Sequence, residues 1–188
     1  MSMYFHLICF LSAIILEISS VETQSSPLKF GLCLVPNVKE NFEPTRFFAD
    51  HWYKQLGDGS LFQDIVGICP TVQYQITDEG EIMSLDYVYN QMFQTYLTKP
   101  GRSFLQFTQN DLGYFKFTYY IAQGLLQTAF PMYIIDTDYD DWAIVYYCRP
   151  FMFVMKTEAA WVMSRSRNGT RVNDNIIRDA NKKEWFGL

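Results

Sequence analysis

Few side chains in this sequence are of the kinds that make and break bonds, and their spacing narrows the chemistry further. The cysteines are Cys9, Cys33, Cys69 and Cys148, and the histidines are His6 and His51. Cys9 lies in an apolar N-terminal run, so three thiols remain beyond it. In an oxidising compartment two of them can pair, and the third is left over or pairs with another chain. One histidine outside the leader leaves little scope for His-based metal or triad chemistry. Asp138, Asp140 and Asp141 bring carboxylates together, but the run lacks the ligand spacing of an EF-hand loop, and no metal is assigned to it. Asn168-Gly169-Thr170, in a polar stretch, is a glycan acceptor if the chain enters the secretory pathway. No base is evident beside a nucleophile, so no catalytic residue is assigned.

The chain that positions these groups has 188 residues, net charge −5 and 49% hydrophobic content. That suits one domain with a sizeable core and excludes disorder as the main state. Lys and Arg total 15 against 20 Asp and Glu, with no basic run, which argues against a nucleic-acid partner. Leu7–Leu16 reads LICFLSAIIL, too short to span a bilayer and placed like the apolar core of a secretory signal peptide. We read residues 1–20 as that signal peptide, with cleavage between 19 and 26, and residues 27–188 as one domain. An N-terminal membrane anchor is the alternative. The domain is then secreted and extracellular, and no other window predicts an integral membrane span.

Aromatic residues, 16 Phe, 13 Tyr and 4 Trp, favour strands over helices. From about Trp52 to Arg165 short β-rich runs alternate with turn residues. Val66–Ile76 and Ile82–Tyr89 flank Thr77-Asp78-Glu79-Gly80, a hairpin signal. Breaks are expected at Lys99-Pro100-Gly101, at Asn110 to Gly113, from Asp136 to Asp141 and at Arg149-Pro150. In Tyr114-Phe115-Lys116-Phe117-Thr118 the two phenylalanines share a face with Lys116 opposite. About eight such strands predict a mainly β fold, a barrel or a sandwich. Asn173 to Trp185 differs: Ile176, Ile177, Ala180 and Trp185 form a stripe at helical spacing, with Asn173 as N-cap and Gly187 as stop.

Three segments in order resemble the lipocalin family. Asn41-Phe42-Glu43 through Phe48-Ala49-Asp50-His51-Trp52-Tyr53 is similar to its first motif. Thr137-Asp138-Tyr139 with Trp142 to Cys148 is similar to its Thr-Asp-Tyr motif and following strand. Trp161-Val162-Met163-Ser164-Arg165 is similar to its last strand. The pattern is nearest the apolipoprotein D-like branch, which includes bilin-binding proteins, insecticyanin and crustacyanin. The resemblance implies an eight-stranded antiparallel up-and-down barrel with one C-terminal α-helix packed outside. It implies that Trp52 closes the floor with Arg165 stacked over its ring, and that Asp138 binds backbone N–H groups. It also implies a Cys33–Cys148 disulfide. In the same pattern Cys69 pairs with a cysteine in a C-terminal tail that this sequence lacks, leaving a free thiol or an intermolecular crosslink. Asp50 stands where the first motif has glycine, so packing there must differ.

With that barrel as frame, period-two parity points particular side chains inward. These are Val72 and Tyr74, then Ser84, Asp86, Val88 and Asn90, then Phe115 and Phe117. Met132 and Ile134, Val145 and Tyr147, and Trp161 and Met163 complete the expected pocket. Tyr74, Asp86 and Asn90 are its polar handles; a carboxylate facing an apolar interior needs a partner or water. The expected function is extracellular binding and transport of a small hydrophobic ligand: a lipid, bilin, carotenoid, retinoid or steroid. No cofactor is required for this. One alternative is a structural or pigment-complex subunit acting through protein association, including homo-oligomers, with an exposed aromatic patch as its sign. Another is a thiol-dependent isomerase using Cys69, although parity with Tyr74 puts that thiol on the outward face.

Overall fold

In Glu81–Asn90 side chains alternate between half-exposed and buried along the strand, with Ile82, Ser84, Asp86, Val88 and Asn90 inside. Such alternation closes a sheet only if every strand turns the same face to one interior. The structure is a computed structural model that describes residues 28–57, 67–105, 112–121 and 124–169. The strands are β1 (Lys29–Phe30), β2 (His51–Gly57), β3 (Ile68–Ile76), β4 (Glu81–Asn90) and β5 (Thr95–Phe104). They continue as β6 (Tyr114–Ile121), β7 (Leu126–Thr137), β8 (Trp142–Phe151) and β9 (Met155–Ser164). A short helix, α1 (Pro44–Phe47), precedes β2. β2 to β9 form an antiparallel meander, and β9 pairs with both β8 and β2, which closes an eight-stranded barrel. The two-residue β1 adds to β9 from outside. The expected leader, its cleavage region and the C-terminal helix lie outside the described residues.

Two expected breaks are corrected. β5 runs unbroken through Lys99-Pro100-Gly101, keeping a ten-pair ladder with β4. Its ladder to β6 is limited to Gly101↔Tyr119 and Arg102↔Thr118, so little pairing on that side is lost to the missing N–H of Pro100. Gly101 is required there: a Cβ would lie 2.6 Å from both the Ser84 hydroxyl oxygen and the Tyr119 ring. Likewise β8 continues through Arg149-Pro150, and the turn comes at Met152–Val154.

The larger apolar cluster fills the barrel. A smaller one lies on the outer face of β7, β8 and β9, where Ile135, Ile144, Tyr146 and Val162 pack with Cys33 and Leu56. Burial on both faces explains the nearly continuous apolar run of β8. Cys33 and Cys148 are disulfide-bonded across a separation of 115 residues, as the resemblance implied, tying the N-terminal segment to β8. Removing a crosslink that closes so long a loop frees the unfolded chain. Cys33→Ser with Cys148→Ser is therefore expected to lower stability by about 3 kcal/mol. Urea unfolding of the double variant checks this; an unchanged midpoint would refute it.

Candidate functional site

One end of the barrel is sealed from residues adjacent in sequence. Phe47 and Phe48, on and just after α1, are fully buried beside Trp52 at the start of β2. Phe48 meets Phe115 at 4.7 Å and Tyr74 at 4.8 Å between ring centroids, and Phe42 joins from the segment before α1. The Arg165 guanidinium lies 3.8 Å from the centre of the Trp52 ring. It donates to the carbonyls of Tyr139, His51, Arg46 and Phe47 at 2.9 to 3.1 Å. The Phe47 carbonyl also accepts from Trp52 Nε1 at 3.0 Å. Burial pulls the Arg165 pKa down, with Asp50, Tyr74 and Asp140 opposing, yet four carbonyl acceptors suit only the cation.

The β7–β8 turn is built from its own side chains. Thr137 Oγ1 donates to the Trp142 carbonyl at 2.7 Å and accepts from the Tyr139 N–H. Asp138 accepts from the N–H groups of Asp141 and Trp142, the role expected of it. The Tyr139 hydroxyl accepts from the Glu43 N–H. Asp50 turns outward and accepts from the N–H of His51, which is how an aspartate is accommodated where the motif has glycine. Among the described residues no group of three His, Cys, Asp or Glu side chains is arranged to hold a metal.

Above this floor lies a cavity of about 50 Å³. Nine of the residues expected in the pocket line it: Val72, Tyr74, Asp86, Phe117, Met132, Val145, Tyr147, Trp161 and Met163. Ser84, Val88, Asn90, Phe115 and Ile134 are buried but not among its lining residues. Phe115 belongs to the floor cluster, and Asn90 accepts from the Phe93 N–H in the β4–β5 turn. Lys54, Lys99, Tyr119, Phe130 and Pro131 also line the cavity and were not anticipated. Parity carried a signal for three of them. Lys54 is two residues from Trp52, Tyr119 two from Phe117, and Phe130 two from Met132. Lys99 sits opposite Asp86 in the ladder, where a break in the strand was expected.

The cavity joins aromatic walls to a small polar cluster. Lys54 Nζ lies 3.4 Å from Asp86 Oδ1 and 4.4 Å from the centre of the Trp161 ring. Both side chains of this ion pair are over nine-tenths buried, at 7% and 8% exposure. Lys99 Nζ lies 4.2 Å from the centre of the Tyr119 ring. Asp86 Oδ2, the Ser84 hydroxyl and the Tyr147 hydroxyl are buried without a hydrogen-bond partner. The Tyr74 hydroxyl donates only weakly, to Met132 Sδ at 3.7 Å. Burial, then the Asp86 carboxylate, pushes the Tyr74 and Tyr119 hydroxyls well above the ordinary phenol range. Burial also raises Tyr147. These phenols stay protonated at neutral pH and can donate, while Asp86 Oδ2 can accept. Cys69, by contrast, is exposed and outside the cavity.

The sequence model of the Triabin family matches residues 22–175. Apolipoprotein D of Macaca fascicularis is 25% identical over 145 residues, covering 77% of this chain and 72% of that protein. Insecticyanin of Manduca sexta has a similar solved fold, with a TM-score of 0.68 at 17% identity and 84% of each chain covered. The amine-binding protein of Rhodnius prolixus, solved with tryptamine, gives 0.64 at 23% identity, covering 83% of this chain and 81% of that one.

Proposed function

The chain belongs to the Triabin family, within the lipocalins of the apolipoprotein D-like kind, and from that premise we propose that it binds and carries a small, largely apolar ligand in its barrel. The observation that carries this reading is an aromatic-lined cavity into which buried polar atoms of Asp86 and Tyr147 bring unused hydrogen-bonding capacity. An unpaired buried acceptor costs free energy, and a ligand donor offsets that cost on binding. Flat rings suit the walls of Phe117, Phe130 and Trp161.

Size favours a compact ligand. A cavity of about 50 Å³ is far below the roughly 300 Å³ at the lower end for drug-sized ligands. A bilin, carotenoid, retinoid, steroid or long lipid enters only if wall side chains swing aside. A single aromatic ring system bearing an amine or hydroxyl fits with less movement, and the tryptamine held by the Rhodnius protein is of that kind. The same reading makes the chain extracellular, with Asn168 exposed for a glycan, and treats it as a carrier without catalysis. An isomerase would need its thiol at the ligand, and the exposed position of Cys69 gives that alternative no support.

The test is a native mass spectrum before and after denaturation, with calorimetric titration of tryptamine, retinol, biliverdin and palmitate. Saturable binding of tryptamine supports the compact-ligand reading, and saturation by one of the larger probes alone replaces it with theirs. Uptake of none of the probes, with an empty mass, refutes the carrier reading. Tyr147→Phe sharpens the test. Its hydroxyl has no partner within the protein, so removal is expected to leave stability unchanged or raise it by about 1 kcal/mol. If the hydroxyl serves the ligand, affinity falls about tenfold.

A further inference from the structure

β7 and β8 separate before either strand ends. The turn joining them lies at the sealed end, where Tyr139 packs on Phe42, so both strands lead from there to the open end. Their ladder stops at Met132↔Tyr147. Beyond it β7 stays paired to β6 as far as Leu126, and β8 to β9 as far as Phe151, but not to each other. Pro131 stands where the separation starts, and it has no N–H to offer either neighbour. Arg149 bridges the resulting seam, its guanidinium donating to Thr128 Oγ1 at 2.6 Å.

Phe130 is the inward-facing side chain at this point, two residues from Met132 and on the same face. Its ring centre lies 5.3 Å from that of Tyr119 and 5.0 Å from that of Tyr147. The half-exposed Lys99 and the exposed Arg149 place Nζ and Cζ at 5.5 and 5.8 Å from the same ring centre, within cation–π range. The neighbouring rings are fixed more firmly. Tyr119 lies against the backbone of β5, so closely that a Cβ on Gly101 would meet its ring at 2.6 Å. Tyr147 is almost fully buried. Phe130 is only half-buried and carries no polar atom to tether it. The proline after it restricts residue 130 to extended backbone, which leaves rotation about χ1 as its freedom.

We propose that Phe130 is the residue that sets ligand size: its ring plugs the β7–β8 seam, Lys99 and Arg149 hold it in place, and its outward rotation opens the cavity sideways. The inference rests on the carrier reading and names the residue that limits it. With the ring in place the cavity keeps its volume of about 50 Å³. With the ring turned out, a longer ligand extends into the seam, where Thr128 and Arg149 are polar groups for it to meet. No ladder pairing has to break for this, because none joins β7 to β8 on the open side of Met132. A side-chain rotation thus does what would otherwise need a strand to move.

The experiment compares wild type, Phe130→Ala and Arg149→Gln by calorimetric titration with tryptamine and with harmine, a three-ring relative of it. Circular dichroism and unfolding midpoints establish that the variants fold. Arg149 is exposed and outside the cavity lining, so its replacement tests the latch even where the alanine variant does not fold. Expected for Phe130→Ala is about tenfold tighter binding of harmine than wild type shows, with weaker binding of tryptamine, which loses a wall. Expected for Arg149→Gln is about tenfold faster exchange of bound tryptamine, read from NMR line shapes, with Kd within about twofold of wild type. Tryptamine binding by wild type reports on the carrier reading separately. Where wild type binds it, harmine bound no more tightly by Phe130→Ala overturns the proposal and leaves the carrier reading intact, and so does unchanged exchange in Arg149→Gln. If wild type takes neither probe, the carrier reading for compact ligands fails and the proposal falls with it.

Discussion

Replacing Arg165 by methionine lowers unfolding free energy by about 4 kcal/mol, although the residue lies outside the ligand cavity. The guanidinium is held by four carbonyls from three pieces of chain: α1, the start of β2 and the β7–β8 turn. Each bond is charge-assisted, and the stack on Trp52 adds a cation–π contact. Methionine keeps much of the apolar stem but leaves those carbonyls without a donor. Arg165→Lys separates charge from geometry. An ammonium retains the charge but cannot reach four divergent acceptors from one position, so it recovers less than half the loss. Urea unfolding of the three proteins reads this directly. A loss below about 1 kcal/mol for the methionine variant would show that the floor is held by its aromatic packing alone.

Asp86→Ala is the second large effect, and its cause lies in the partner left behind. The Lys54 ammonium is buried, and its attachments are Asp86 and the Trp161 face. Breaking a buried pair from one side costs about 3–5 kcal/mol, because the remaining charge is desolvated without compensation. Replacing both members, Lys54→Met with Asp86→Leu, removes that penalty and returns stability to within about 1 kcal/mol of wild type. Wild type, Lys54→Met, Asp86→Leu and the double variant form a double-mutant cycle, and a coupling energy below about 1 kcal/mol would sink this account. The cycle also bears on function. The restored double variant lacks the carboxylate, so a stable protein that no longer binds the probe would separate the pair's role at the ligand from its role in the fold.

Lys54 also shows where a sequence reading stops. Parity from Trp52 turns Lys54 inward, yet a lysine on an apolar face argues by composition for the opposite face. The β2–β9 register settles the conflict with an irregularity between Lys54 and Leu56, and Leu56 joins the outer cluster instead of the interior. Hydropathy alone would exchange these two residues. Lys99 escaped for a related reason: Pro100 and Gly101 read as a turn in one dimension. In the barrel Gly101 is the place where the Ser84 hydroxyl and the Tyr119 ring come too close for any side chain.

Local pattern was enough for much of the molecule. Period-two alternation identified the inward faces of β4 and β6. The three motifs placed Trp52, Arg165 and the Thr137-Asp138-Tyr139 turn, and the family resemblance paired Cys33 with Cys148. These features depend on neighbours one to four residues apart, or on a pattern spread along the chain, and both are written in the order of residues. Which interior positions border the cavity and which fill the floor depends instead on distances across the barrel. Phe115 and Phe117 share one face of β6, but Phe115 meets Phe42 and Phe48 in the floor while Phe117 borders the cavity. Closure of β9 onto β2, the bulge in β2 and the facing of Asp86 by Lys54 set those distances, and no stretch of sequence contains them.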